Sequence, residues 1–362
     1  MLVEGAVLDI DGPRAGYVRF RHGRVVEVGA PGTASTRGRV RRVRGIVVPS
    51  PVNGHTHLAD AVAVREPPGG PVEELVAPPR GFKFQLLAGT PRAMKLAAIR
   101  GALQRMEREG VAATLEFREE GAAGVVLLRE ALRALAVRVF VFGRPMRRPI
   151  DPDEVASVLE VADGIGLSSA RDETEAARRA VARACRLSGK RFALHASEAV
   201  REAPESYLDP TPDLLVHLAT ATVDDLAAVH DEDVAVAVCP RSNALFGRQA
   251  NLRAMERLGL RVLLGTDNAM FHPPSVWSEL QFAYTSSRLL DRPASAAFLA
   301  RAALVEPWVW LGEPDAARVA PDTPVRPLVV RLPPDDPAYQ LVTRTTEQFI
   351  VRPGPRRLRR AR

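Results

Sequence analysis

The chain has 362 residues, enough for two average domains or one large α/β barrel with an appendage. It is 46% hydrophobic, 26% charged and 5% aromatic, too apolar for a disordered chain, and no run approaches the ~20 apolar residues that cross a bilayer. The net charge of +7 is concentrated in two short runs, five arginines within Arg37–Arg44 and six within Val351–Arg362. Nucleic-acid binding needs a broad basic face, so this pattern reads as solvated segments, with 353–362 a basic, disordered tail.

The start, MLVEGAVLDI, lacks the basic n-region and apolar core of a signal peptide, so a cytoplasmic protein is expected. Residues 1–44 then alternate short β-rich runs with turns: LVEGAVLDI, GYVRF, GRVVEVG and GRVRRV. Residues 325–352 do the same in VRPLVVRL, YQLVTRT and EQFIVR. The two ends, 1–44 and 320–352, are expected to pair into a small composite β-sandwich.

Between them, over 45–319, apolar β runs alternate with amphipathic helical runs. The expected strands are 45–50 (GIVVPS), 111–117, 137–142, 163–168, 191–195, 213–217, 234–239 and 260–265. After the first, strand starts are 21 to 28 residues apart, the period of a (β/α)8 TIM barrel. The first unit is longer, and Pro67–Pro79 within it reads as an active-site loop. Cys185 and Cys239 are too far apart for a zinc knuckle and read as buried free thiols.

Barrel enzymes keep their sites at the C-terminal ends of the strands, and four polar signals fall there. NGHTH follows strand one, and His55 and His57, two apart, leave an extended strand on one face. Strand five ends in LHASE with His195 and Glu198, strand six in LLVH with His217, and strand eight in LLGTDN with Asp267. Singly, each has a bland alternative: an incidental strand histidine, a satisfied core residue, a helix cap. Jointly, four of the seven histidines with an Asp and a Glu at one barrel mouth suit one divalent ion, Zn²⁺ before Fe²⁺.

The order HTH, HASE, VH, CPRSN and GTDN resembles the amidohydrolase superfamily, in its cytosine deaminase and chlorohydrolase-like branch. The resemblance covers nearly the whole chain. It implies His55, His57, His195 and Asp267 as metal ligands. Glu198 becomes the proton shuttle, His217 the group that orients water and supports the oxyanion, and Asp267 a proton acceptor. Strand three (VRVFVFGRP) and strand four (DGIGLSSA) lack the bridging ligand of two-metal members, so a single ion is expected. The base-editing zinc deaminases use HxE and PCxxC, absent here, and are excluded.

The implied reaction is hydrolysis of a carbon–nitrogen, non-peptide bond: deamination of an amino-substituted nitrogen heterocycle by metal-activated hydroxide. Hydrolysis of a cyclic amide or another ring substituent stays open, as does a non-catalytic barrel used only for binding. Substrate contacts are expected from Lys83 in the long first loop, Glu116 and Arg118 at strand two, and Arg241 and Asn243 after strand seven. Lys83, Arg118 and Arg241 could clamp a carboxylate or phosphate, or could instead form salt bridges with Glu116, Glu119 or Asp172, which is the slightly favoured alternative. The expected partner is a small molecule. No membrane and no nucleic acid is expected, RNA contact through the tail being the minority reading, and homo-oligomerisation stays open.

Overall fold

The computed structural model describes residues 1–35 and 40–351, which form two compact units. One joins Met1–Pro51 to the chain from Ala296 onward; the other is Val52–Ser295. The sequence reading divides at 44/45 and 319/320 instead. The arginine tail read at 353–362, and two of the arginines in 37–44, lie outside the described residues. Among the described residues no helix is long and apolar enough to cross a membrane.

The Val52–Ser295 unit is built on a parallel sheet whose strands we number β1 to β9. They are Val52–His57, Ala113–Arg118, Arg138–Gly143, Gly164–Leu167, Arg191–Ala196, Leu214–His217, Ala235–Val238, Val262–Leu264 and Asp267–Asn268. Runs such as AVAV and VLL are buried on both faces, as parallel strands covered by crossover helices must be. Helices such as Arg92–Arg108, Gly121–Ala131 and Glu175–Leu187 supply those crossovers.

Neighbours in the sheet follow chain order from β1 to β8, and β9 pairs in parallel with β1 through Asp267–Thr56 and Asn268–His57. Only Gly265 and Thr266 separate β8 from β9. Gly265 N–H donates to Val238 O on β7, and Thr266 N–H donates to His55 O on β1. The sheet therefore curls until its first and last strands meet, with β8 and β9 as two pieces of one interrupted strand.

Glycine makes that meeting feasible. A Cβ at Gly265 would lie 2.6 Å from His55 Cβ and 2.7 Å from its backbone nitrogen, and one at Gly54 would lie 2.8 Å from Leu263 Cβ. Gly265→Ala must push β1 and β9 apart, and we expect it to cost about 3 kcal/mol in urea unfolding. A loss under about 1 kcal/mol would mean that the strands part freely there.

Two expectations need correction. The run at 45–50 is not the first central strand. Residues Arg42–Val48 lie in the terminal sheet, parallel to Leu2–Asp9, and the first central strand is Val52–His57. Pro49 and Pro51 separate the two, since proline cannot donate to a ladder. YQLVTRT is not a β run but part of the helix Pro337–Arg344. Asp336 caps it by accepting from Tyr339 N–H, proline stands in its first turn, and Ala338, Leu341 and Val342 are buried at helical spacing.

The remaining terminal strands join both ends of the chain into one six-stranded sheet. Its order is Ile350–Val351, Leu328–Val330, Arg42–Val48, Leu2–Asp9, Gly12–Arg21 and Arg24–Gly29. Val3, Val7, Val18, Val47 and Val329 form its buried face with Phe20. The composite origin matches the sequence reading. The described strands here make one sheet, and a second stacked layer is not among them.

Candidate active site

At the C-terminal ends of the central strands, β1, β5 and β6 bring four imidazoles together. Ring centroids lie 4.8 Å apart for His55–His57, 5.0 Å for His55–His195 and 5.4 Å for His195–His217. Asp267 Oδ1 is 3.2 Å from His55 Nε2 and 3.6 Å from His57 Nε2. Glu198 Oε1 lies 3.6 Å from His217 Nε2. His217 (φ 77°) and Asp267 (φ 59°) hold left-handed backbone conformations that cost non-glycine residues energy, which aims both side chains at the common centre.

The hydrogen bonds fix which ring nitrogens face that centre. His57 Nδ1 lies 2.9 Å from Phe117 O, and His195 Nδ1 lies 2.7 Å from Leu167 O. A carbonyl only accepts, so both Nδ1 atoms carry a proton, which leaves the Nε2 atoms facing the centre. His55 is fully buried, and neither of its ring nitrogens has a hydrogen-bond partner. Burial pushes His55 down to about 3 and His195 well below the usual range, so both are neutral. Burial would raise Asp267, but the imidazoles of His55, 3.2 Å away, and of His217 hold it well below the usual carboxylate range.

Donor atoms of His55, His57 and Asp267 lie within 4.8 Å of one another, as do those of His55, His195 and His217, and those of Glu198, His217 and Asp267. Imidazoles with an ionised carboxylate make a donor set able to hold a divalent ion. The segment after β7 positions two of these groups. Ser242 Oγ donates to Asp267 Oδ2, and Asn243 Nδ2 donates to His217 Nδ1 at 3.1 Å. His217 then carries its proton on Nε2, facing Glu198.

A cavity of about 270 Å³ opens beside the cluster. His57, His195, Glu198, His217 and Asp267 line it, and so does the short helix Val72–Val76 inside the loop read as 67–79. Of the five residues expected to touch substrate, only Lys83 lines this cavity, and it is 2% exposed and engaged. Its Nζ is 3.0 Å from Asp60 Oδ2 and 2.6 Å from Glu119 Oε1. Burial alone would lower Lys83, and the two carboxylates reverse this and raise it.

The other four are occupied inside the protein. Arg118 donates to Gly124 O and pairs with Glu120. Arg241 meets Glu279 at 2.6 Å, and Asn243 serves His217. Each of the three cations is thus matched by a carboxylate, the salt-bridge alternative to a clamp.

Glu116 is wholly buried. It accepts from Thr56 Oγ1 at 2.7 Å and from Leu58 N–H at 3.0 Å. Burial pushes Glu116 up to about 8, against a smaller pull from the Thr56 hydrogen bond. The folded carboxyl stays protonated where the unfolded one ionises, so its stabilisation is lost as pH rises from about 4.5 to about 8. Glu116→Gln removes that dependence. We expect its melting temperature to gain on wild type across this window, with activity within about threefold. A constant gap would mean that Glu116 is ionised throughout.

The sequence reading passed over Arg144 and Asp60, and it gave Glu119 and Ser242, read near the mouth, no place beside the imidazoles. Arg144 and Glu119 carried the same signal as His217 and Asp267: a charged residue directly after an apolar strand. Asp60 carried none.

A parallel sheet curled on itself, with imidazoles and a carboxylate at one mouth, defines a class of metal-site hydrolase. The Amidohydrolase family model matches residues 46–304, and the chain belongs to that family and is a hydrolase. A Methanothermobacter thermautotrophicus protein provisionally named an aminohydrolase is 33% identical over 273 residues, covering 69% of this chain and 70% of that one. Among solved structures, a Xanthomonas campestris adenosine deaminase with bound zinc superposes with TM-score 0.74 at 18% identity, covering 96% of this chain and 90% of that one. An Arthrobacter aurescens atrazine chlorohydrolase complexed with zinc also gives 0.74, at 17% identity and 94% and 90% coverage. At such identities these structures speak for the fold.

Proposed function

We propose that this chain is a single-metal aminohydrolase that removes ammonia from an amino-substituted nitrogen heterocycle. The observation that carries the reading is His55: a fully buried imidazole whose ring nitrogens make no hydrogen bond, grouped with three further imidazoles and an ionised aspartate. An unsatisfied buried group costs about 1–3 kcal/mol, and a cation would satisfy it. His55, His57, His195 and Asp267 would hold the ion, Zn²⁺ before Fe²⁺, which supplies a hydroxide nucleophile at neutral pH when bound. The provisional name of the archaeal relative and the zinc in the two superposed structures agree with this reading. We take the central sheet with its helices as a (β/α)8 barrel, and the terminal sheet as the small sandwich that accompanies it.

The chain's own groups then divide the proton work. Asp267, kept ionised beside the imidazoles, accepts the proton released as the nucleophile bonds to the amino-bearing carbon. Glu198, whose pKa burial raises and His217 only partly lowers, is the group suited to give a proton to the adjacent ring nitrogen. It then carries a proton to the departing amine, so water and the amine become a ring carbonyl and ammonia. His217 Nε2–H supports the developing oxyanion.

The test is ammonia release by zinc-loaded protein from amino-substituted purines, pyrimidines and pterins. Release from one group is the expected result and names the substrate class. Turnover without ammonia would transfer the site to hydrolysis of another ring substituent or a cyclic amide. One ion bound with no turnover of any panel member or cyclic amide would overturn the catalytic reading.

A further inference from the structure

The proton work leaves one charged group in the cavity wall unused. Arg144 follows β3, extends its ladder through Arg144 N–H to Arg118 O at 2.9 Å, and is 4% exposed. Its guanidinium lines the cavity, yet Nε has no hydrogen-bond partner. Among the described residues its one ion pair is a loose one, Nη1 to Glu119 Oε1 at 3.6 Å. Burial pulls its pKa down, as expected of a desolvated cation lacking a close partner.

Charge balance explains part of this. Asp60 and Glu119 are buried carboxylates, and Lys83 supplies one compensating charge at hydrogen-bond distance. Further positive charge comes from Arg144 and Arg118, 3.6 and 3.8 Å from the Glu119 carboxylate. Balance does not explain the donors. A guanidinium offers five N–H groups in a rigid fork, and leaving the Nε donor unmade in a buried wall is costly when a lysine would supply the same charge.

The nearby hydroxyls are spent, Ser168 Oγ on Asp172 at 2.6 Å and Ser169 Oγ on Glu202 at 3.0 Å. Arg171, exposed where it lines the same cavity, has no ion-pair partner among the described residues.

We propose that Arg144, assisted by Arg171, binds an oxyanionic substituent of the substrate, a carboxylate or a phosphate. A planar fork matches either group bidentately. The clamp idea from sequence is thus moved to different arginines, because Lys83, Arg118 and Arg241 are already matched. As a statement about substrate this rests on the aminohydrolase reading; the anion subsite itself does not.

The experiment is calorimetric titration of the zinc-loaded protein with inorganic phosphate and, separately, with acetate. We expect at least one to bind in the millimolar range and the stronger to identify the group. Arg144→Met should weaken it about tenfold or more, and Arg171→Gln about threefold. Melting temperature and zinc content check that Arg144→Met is folded. If it is not, Arg144→Lys keeps the charge, loses the fork and should still weaken binding about fivefold.

Absence of binding by both anions overturns the proposal. Binding untouched by these variants also overturns it, since the anion would then sit on the ion alone. Ammonia release is measured in parallel from pterin and pterin-6-carboxylate. Silence there with anion binding intact faults the aminohydrolase reading and leaves the subsite standing.

Discussion

Glu198→Gln should bind one divalent ion per chain as wild type does and lose about 10³-fold in kcat. General acid–base catalysis by a placed carboxyl is worth roughly 10²–10⁴, and 10³ corresponds to about 4 kcal/mol of barrier. Glutamine matches glutamate in size and can still reach His217 Nε2, so the cavity keeps its shape. It cannot carry a proton, so the loss should fall on kcat with KM little changed. Glu198→Asp, which keeps the chemistry with a shorter reach, should recover part of the rate. Of the other carboxylates lining the cavity, Glu202 has both oxygens held, one by Ser197 N–H at 2.6 Å and one by Ser169 Oγ at 3.0 Å, and Asp172 accepts from Ser168 Oγ. A carboxylate fixed by donors is a poor shuttle, whereas Glu198 makes no hydrogen bond among those described and meets His217 Nε2 at 3.6 Å. If Glu198→Gln stayed within tenfold of wild type, Glu198 would leave the mechanism and Glu202 would be the next group to vary.

The convergence of HTH, HASE, LLVH and GTDN was legible because each motif is a polar residue directly after an apolar run. A parallel curled sheet brings all such positions to one mouth. The strand that carries His55 and His57 was not itself legible. VNGHTH is less β-like than the neighbouring GIVV, and it is a strand because β2 and β9 flank it. Tertiary pairing overrode local pattern there, as a helix cap and a proline overrode it at Pro337–Arg344. The partners of the cations were legible only in part: Glu119 stood among the candidates, whereas Asp60 and Glu279 did not. Lys83 is pinned by a residue 23 positions earlier and one 36 positions later, and Arg241 by Glu279, 38 positions on. Nothing local separates a matched arginine from Arg144, whose donors stay open. The distinction exists only in the burial and partners of each guanidinium.

His55→Leu separates a metal ligand from a core histidine, because the two roles predict opposite costs. In metal-free protein His55 has both nitrogens unpartnered and is neutral, so leucine of similar bulk removes an unsatisfied group at about 1–3 kcal/mol gain. Against that stands Asp267, which loses the neighbour that helps keep it ionised. The two effects are of similar size, and we expect the metal-free variant to melt within a few degrees of metal-free wild type. Zinc should then act very differently on the two proteins. Wild type gains about 4 kcal/mol at a thousandfold excess over its dissociation constant, because the ion binds only the folded site. The variant, short of one of four donors, should show little shift, retain under a tenth of the bound zinc and lose at least about 10³-fold in activity. A core histidine gives the reverse pattern: a stability loss of several kcal/mol without metal, and an unchanged response to zinc. Elemental analysis and paired melts with and without chelator decide between them before any substrate is known.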